Sequence, residues 1–366
     1  MIIYSFNHRT MKKIIKLGIL LVLIILSASY PATAKPGVEI ISLFSDENSM
    51  EITLQSHSSI ENGQIEFKLT HKGDIIDTKT AVFNMTQDSE ITKVIIWDIH
   101  PQSYTYSYVA IASIYINDEL IDEASYPFSY GFATLPRFQV VDLSATSSSA
   151  SLLLKPRKST NPAVADLTIE LIQNGDIIYA ETKDDVSIIQ AIPLSINWPI
   201  LLEDHTDYIV RVKALSHSPQ IISSYVTEFT SCQDIEIDDT DVEVDDFGIS
   251  VTLYGRSQVP FDGTVEVELK QAGADPLIFS SSPEILTLNR DDTVGIIWND
   301  LNPGTYNVFI LVKALDGKVL DRYETVLSIP EPIGPVNQPA EQKTPGFGII
   351  LTVYGIIITA AFIKKN

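Results

Sequence analysis

The sequence predicts an all-β chain: three tandem β-sandwich domains, preceded by an N-terminal signal helix and followed by one C-terminal transmembrane helix. Three observations carry this reading. Trp97, Trp198 and Trp298 lie 101 and 100 residues apart, and each closes an apolar stretch, VIIW, SINW and GIIW. About thirty residues before each tryptophan an alternating segment runs into a glycine turn: Ile65 to Leu69 before Gly73, Leu167 to Leu171 before Gly175, Val265 to Leu269 before Gly273. Alternation with period two marks a strand with one buried face, and its recurrence at a fixed interval marks a repeated unit. No stretch of twelve residues between Lys35 and Ile329 carries a helical period.

The remaining strands follow from the same pattern. Met50 to Gln55, Ser151 to Leu154 and Ile249 to Tyr254 are the second strands of their units, and the last strands end near Phe128, Phe229 and Leu327. Turn residues near Pro136 and Cys232 divide the body into domains at 35–136, 137–232 and 233–329. Prolines 330, 332, 335, 339 and 345 then make 330–345 a stalk, because a segment so rich in proline cannot pair in a sheet. Strands of about nine residues rise roughly 30 Å, so three domains placed end to end would stand about 100 Å tall.

After each tryptophan come a turn, a tyrosine and another alternating strand. The third copy reads Leu301-Asn302-Pro303-Gly304-Thr305-Tyr306, then Val308, Ile310, Val312 and Ala314 on one face. The second gives Leu202, Thr206 and Tyr208 before Val210, Val212 and Ala214, and the first, looser, gives Pro101, Tyr106, Tyr108, Ala110 and Ala112. This order resembles the tyrosine corner of immunoglobulin-like and fibronectin type III domains. The resemblance implies three immunoglobulin-like sandwiches in which Tyr208 and Tyr306 are core residues, and the three tryptophans are packing anchors.

Both ends of the chain carry export signals. Lys12, Lys13 and Lys16 precede the apolar run Leu17 to Leu26, and Ala32-Thr33-Ala34 supplies small residues for cleavage after Ala34, so 1–34 is a signal peptide. From Gly346 to Ile363 no charge occurs, and eighteen helical residues reach roughly 27 Å, enough for a minimal span. Lys364 and Lys365, in 364–366, place the end on the cytoplasmic side and the body outside. Pro345, Gly346 and Phe347 opening such a run resemble the PGF-CTERM sorting signal of archaeal surface proteins. That resemblance implies an archaeosortase-like processing enzyme as a partner and a lipid in place of the removed span. An uncut tail anchor is the alternative.

The formal charge of −22 becomes −26 once 1–34, with Arg9, Lys12, Lys13 and Lys16 and no acid, is removed. Such a surface repels nucleic acid and anionic lipid and favours cations. One cysteine, Cys232, excludes an internal disulfide and leaves a buried thiol or a bond to another molecule. The six histidines show no metal-ligand spacing, and no nucleophile elbow, phosphate loop or zinc-protease motif occurs, so the chain is expected not to be an enzyme and to need no cofactor. The acidic run DIEIDDTDVEVDD offers Asp234, Glu236, Asp238, Asp239 and Asp241 as hard oxygen ligands for Ca²⁺. Its alternation with Ile235, Ile237, Val242 and Val244 equally suits the solvated face of a charged edge strand. Asn84-Met85-Thr86 is a glycosylation sequon between expected strands.

The expected role is a non-catalytic, membrane- or lipid-anchored cell-surface protein with the bulk of the chain outside. It would act as a structural, adhesive or S-layer-associated spacer of an archaeal envelope, with the membrane and other envelope proteins or glycans as partners. The alternative is a surface receptor binding a sugar, peptide or cation through sandwich loops; exposed aromatics clustered on one set of loops would favour it, and their absence would favour the spacer.

Overall fold

In the computed structural model, residues 37–98, 106–131, 135–158 and 162–331 are described, and they contain strands and no helix. The expected signal and C-terminal helices, with Ala34, Pro345, Gly346 and Phe347, lie outside these residues.

Three hydrophobic cores organise the chain, each built by seven strands in a three-on-four sandwich. Around the first are β1 (Val38–Ser45), β2 (Ser49–Ser56), β3 (Ile60–His71), β4 (Asp74–Met85), β5 (Glu90–Ile96), β6 (Tyr106–Ile116) and β7 (Glu119–Tyr130). The second has β8 (Phe138–Ala145), β9 (Ser149–Pro156), β10 (Ala163–Gln173), β11 (Asp176–Ile188), β12 (Ile192–Asn197), β13 (Asp207–His217) and β14 (Gln220–Thr230). The third has β15 (Ile235–Val244), β16 (Gly248–Gly255), β17 (Thr264–Lys270), β18 (Leu277–Ser281), β19 (Asp291–Ile297), β20 (Gly304–Lys313) and β21 (Val319–Ile329). In every unit strands one, two and five form one sheet, and strands four, three, six and seven form the other. All pairings are antiparallel, so each strand sends alternate residues inward. Ile65, Phe67 and Leu69, then Leu167, Ile169 and Leu171, then Val265, Val267 and Leu269 are buried at matching positions.

The first strand of each unit bulges, between Ile40 and Ser42, Val140 and Asp142, and Ile237 and Val242. In the outer units an aspartate from the last strand fills the break: Asp122 accepts the Ile40 N–H at 3.0 Å and Asp321 the Ile237 N–H at 2.8 Å.

The units are not simply strung end to end. The turn joining β10 and β11 lies against β5, where Val94 N donates to Gly175 O at 2.9 Å and Lys93 meets Asp176 at 2.6 Å. This joins strands of the first and second units into one seven-stranded sheet. Gly175 makes the contact possible: its φ is +82°, and a Cβ there would sit 3.1 Å from Val94 O. The second and third units join differently. Gln258 donates to Ser147 O at 3.0 Å and accepts from Leu202 N at 3.1 Å, while Val259 is buried in the second core.

Candidate functional site

The repeated aromatics are spent on packing. Trp97, Trp198 and Trp298 are buried, and their backbone N–H groups donate to Asn48, Ser148 and Phe247 O at 3.0 Å each. The indole of Trp198 donates to Thr146 O at 2.9 Å and that of Trp97 to Ser45 Oγ at 3.3 Å, whereas the Trp298 indole N–H is buried without a partner. Tyr306 Oη donates to Asn302 O at 2.9 Å, and Tyr208 Oη accepts from Glu203 N at 3.0 Å, so both pin the turn before their own strand. In the first unit Tyr108 takes this place. It is buried and stacks on Phe128 at 5.6 Å, as Tyr208 stacks on Phe229 at 5.6 Å. Removing the hydroxyl with Tyr306→Phe is expected to cost about 1 kcal/mol in urea melts while leaving the fold unchanged.

The densest polar site is the junction of the first two units, which sequence reasoning missed. Arg211 on β13 is fully buried, yet it points away from its own core. Its Nε donates to Glu170 of β10 at 2.6 Å, its Nη2 pairs with Glu51 of β2, and Lys213 Nζ donates to Glu51 at 2.8 Å. Burial alone would raise the Glu51 carboxyl, but Arg211 and Lys213 outweigh it and hold the group below its usual range. At Glu170 burial wins over the same arginine, and the carboxyl is raised. Beside this network Asp46 accepts from Ser224 Oγ at 2.7 Å and from the Ser224 backbone N–H, and Asn48 Nδ2 donates to Ser224 O at 2.7 Å. Every formal charge named here comes from a residue that is half-buried or buried, so the groups act as a lock rather than as a reactive centre.

The acidic run forms β15, with Ile235 and Ile237 inward and most acids outward. Its side chains have separate partners. Glu236 pairs with Arg256, Asp238 Oδ1 accepts from Thr240 N at 3.0 Å and Oγ1 at 2.7 Å, and Asp241 Oδ2 accepts from Thr252 Oγ1 at 2.5 Å. Asp234 offers its backbone carbonyl to Arg256 N at 2.9 Å, and Asp239 lines the same open surface as Arg256 and Arg322.

Among the described residues, three imidazole or carboxylate donors do come within 4.8 Å of one another elsewhere, on Asp166, Asp185 and His217. They sit on β10, β11 and β13, too far apart in sequence for any spacing rule to join them. His217 Nε2 lies 2.9 Å from Asp166, while Nδ1 lies 3.7 Å from Asp185. Two carboxylates facing opposite ring nitrogens suit an imidazolium clamp better than one metal ion, which needs both oxygens beside the same nitrogen. The hydrogen bond to Asp166 raises the His217 pKa. The backbone N–H of Asp185, then His217, lower that of Asp166. The imidazolium contribution is therefore complete below about pH 6.5 and fades as pH rises through the raised value. The Asp166 contribution is complete above about pH 3.9 and fades as pH falls through its lowered value. A proton NMR titration is expected to return the His217 ring to near its free value in Asp166→Asn.

Asn84 lies within β4 rather than between strands, as the sequence had suggested. Its side chain is exposed on an edge strand, and its Oδ1 accepts from Asn62 N at 2.8 Å. Cys232 is exposed, and its backbone N–H donates to Ser147 Oγ at 2.8 Å.

No family model matches the chain, and no curated protein matches it. Solved structures resemble it at a distance, two among them at low identity. One is a tetra-tandem repeat from the extending region of a large adhesion protein, with 14% identity over 80% of this chain and 73% of that one and a TM-score of 0.24. The other comprises the FN1–FN3 domains of chicken CNTN1, with 12% identity over 81% of this chain and 98% of that one and a TM-score of 0.21.

Proposed function

We propose that this is a non-catalytic cell-surface protein that serves as a structural, adhesive or S-layer-associated spacer of an archaeal envelope. Its mooring is the apolar segment 346–363, kept as a span or exchanged for lipid by an archaeosortase-like enzyme at Pro345-Gly346-Phe347. The observation that supports it best is the way three repeated sandwiches commit their aromatic and buried charged groups to packing and to the joints between units. Partners in this reading are the membrane and neighbouring envelope proteins or glycans, and Asn84 is a glycan acceptor. Crosslinking on intact cells together with mass spectrometry of the mature C-terminus tests it. Crosslinks to envelope components and a C-terminus near Pro345 or at Asn366 support the reading, and capture of cytosolic partners alone contradicts it.

Calcium at Asp234, Glu236, Asp238, Asp239 and Asp241 belongs to the same proposal. Bound Ca²⁺ is expected to raise the melting temperature over that in chelator. An unchanged temperature removes the ion from the account.

A further inference from the structure

We propose that the cleft between the first two units binds a small organic ammonium ion, seated against Tyr126, Phe128 and Tyr130 and facing the Glu47 carboxylate. The cleft encloses about 360 Å³ between the turn after β1, the end of β7 and the start of β14. That volume lies at the small end of ligand sites, roughly 300–1,000 Å³, and clefts between domains are where such sites concentrate. Its wall is aromatic on one side, where Phe44 and Tyr126 meet edge to face at 5.7 Å; Lys213 Nζ already lies 5.2 Å from the Phe44 centroid, which leaves Tyr126, Phe128 and Tyr130 for a ligand. The negative face of an aromatic ring attracts a cation, and a poorly hydrated ammonium gives up little water to reach it.

Glu47 supplies the second, independent observation. The other acids of the junction are compensated: Glu51 by Arg211 and Lys213, Glu170 by Arg211, and Asp46 by Ser224, Asn48 N and Ser49 N. Glu47 forms no ion pair among the described residues. Arg157, which bears on nearby Tyr130 and Tyr225, directs its Nε to Pro136 O at 2.9 Å. Burial and the adjacent Asp46 push the Glu47 carboxyl up to about 7. A carboxyl kept in such a place without a countercharge has the character of a functional group awaiting one. The open cavity beside Asp238 and Asp239 differs, because Arg256 and Arg322 already line it. The chain's net charge of −22 draws cations to the whole surface, and the aromatic cleft selects among them.

The site does not depend on the anchoring or spacer role proposed above. Calorimetric titration of the full-length protein with choline, against 3,3-dimethylbutanol as its neutral isostere and sodium chloride at matched ionic strength, tests it. The expected result is saturable binding of choline, weakened at least tenfold in Glu47→Gln and in Tyr126→Leu. Glu47→Gln should melt no lower than the wild type, since it only neutralises an unpaired acid, so its result stands even if Tyr126→Leu fails to fold. Absence of saturable binding, equal binding of the neutral isostere, or unchanged affinity in Glu47→Gln overturns the proposal.

Discussion

Arg211→Met is expected to destabilise the joined first and second units by about 3–5 kcal/mol, read from urea melts followed by tryptophan fluorescence. The size follows from what the substitution leaves behind. Glu170 and Glu51 would keep their burial and lose the guanidinium that both address. Lys213 reaches Glu51 at 2.8 Å and can retain part of that pair, but it has no bond to Glu170. Replacing Arg211, Glu170 and Glu51 together by apolar residues of similar volume should recover most of the loss, because the cost of burying charge disappears with the charges. If Arg211→Met melts like the wild type, the units do not meet through this network.

The second large effect is at the tryptophans. Trp198→Ala is expected to cost about 3–5 kcal/mol, since the side chain is wholly buried against Tyr179 and Phe229 and its removal opens a cavity that strands on both sheets cannot close. The phenylalanine substitutions separate the units further. Trp198→Phe forfeits the bond to Thr146 O, whereas Trp298→Phe deletes a buried N–H that has no partner. Thermal melts should therefore show Trp298→Phe as the milder of the two by about 1 kcal/mol. Equal losses would mean that the indole hydrogen bond at Trp198 contributes nothing.

These two predictions differ in how visible their residues were beforehand. Strand alternation and the 101- and 100-residue intervals between tryptophans are local signals, and the second strands of all three units fall where alternation puts them. The tyrosine corner was legible at Tyr208 and Tyr306 because a turn precedes each at close range. In the first unit the pattern offers both Tyr106 and Tyr108, and only the stacking on Phe128 chooses Tyr108. Arg211 and Glu170 were not legible. Each occupies an outward position of an alternating strand, which reads as solvated until a second unit covers that face. The His217 clamp and the Phe44–Glu47 cleft were hidden for the same reason, since pairing across strands or units brings together residues whose neighbours in sequence say nothing of one another. The acidic run was legible as a strand, while its hydrogen-bond partners, Thr252 and Arg256, were not.

Protease shaving of intact cells that make the protein tests the central claim most directly. The account predicts that peptides from residues 37–331 are released into the medium while a cytosolic marker stays inside. Appearance of those peptides only after lysis would contradict it.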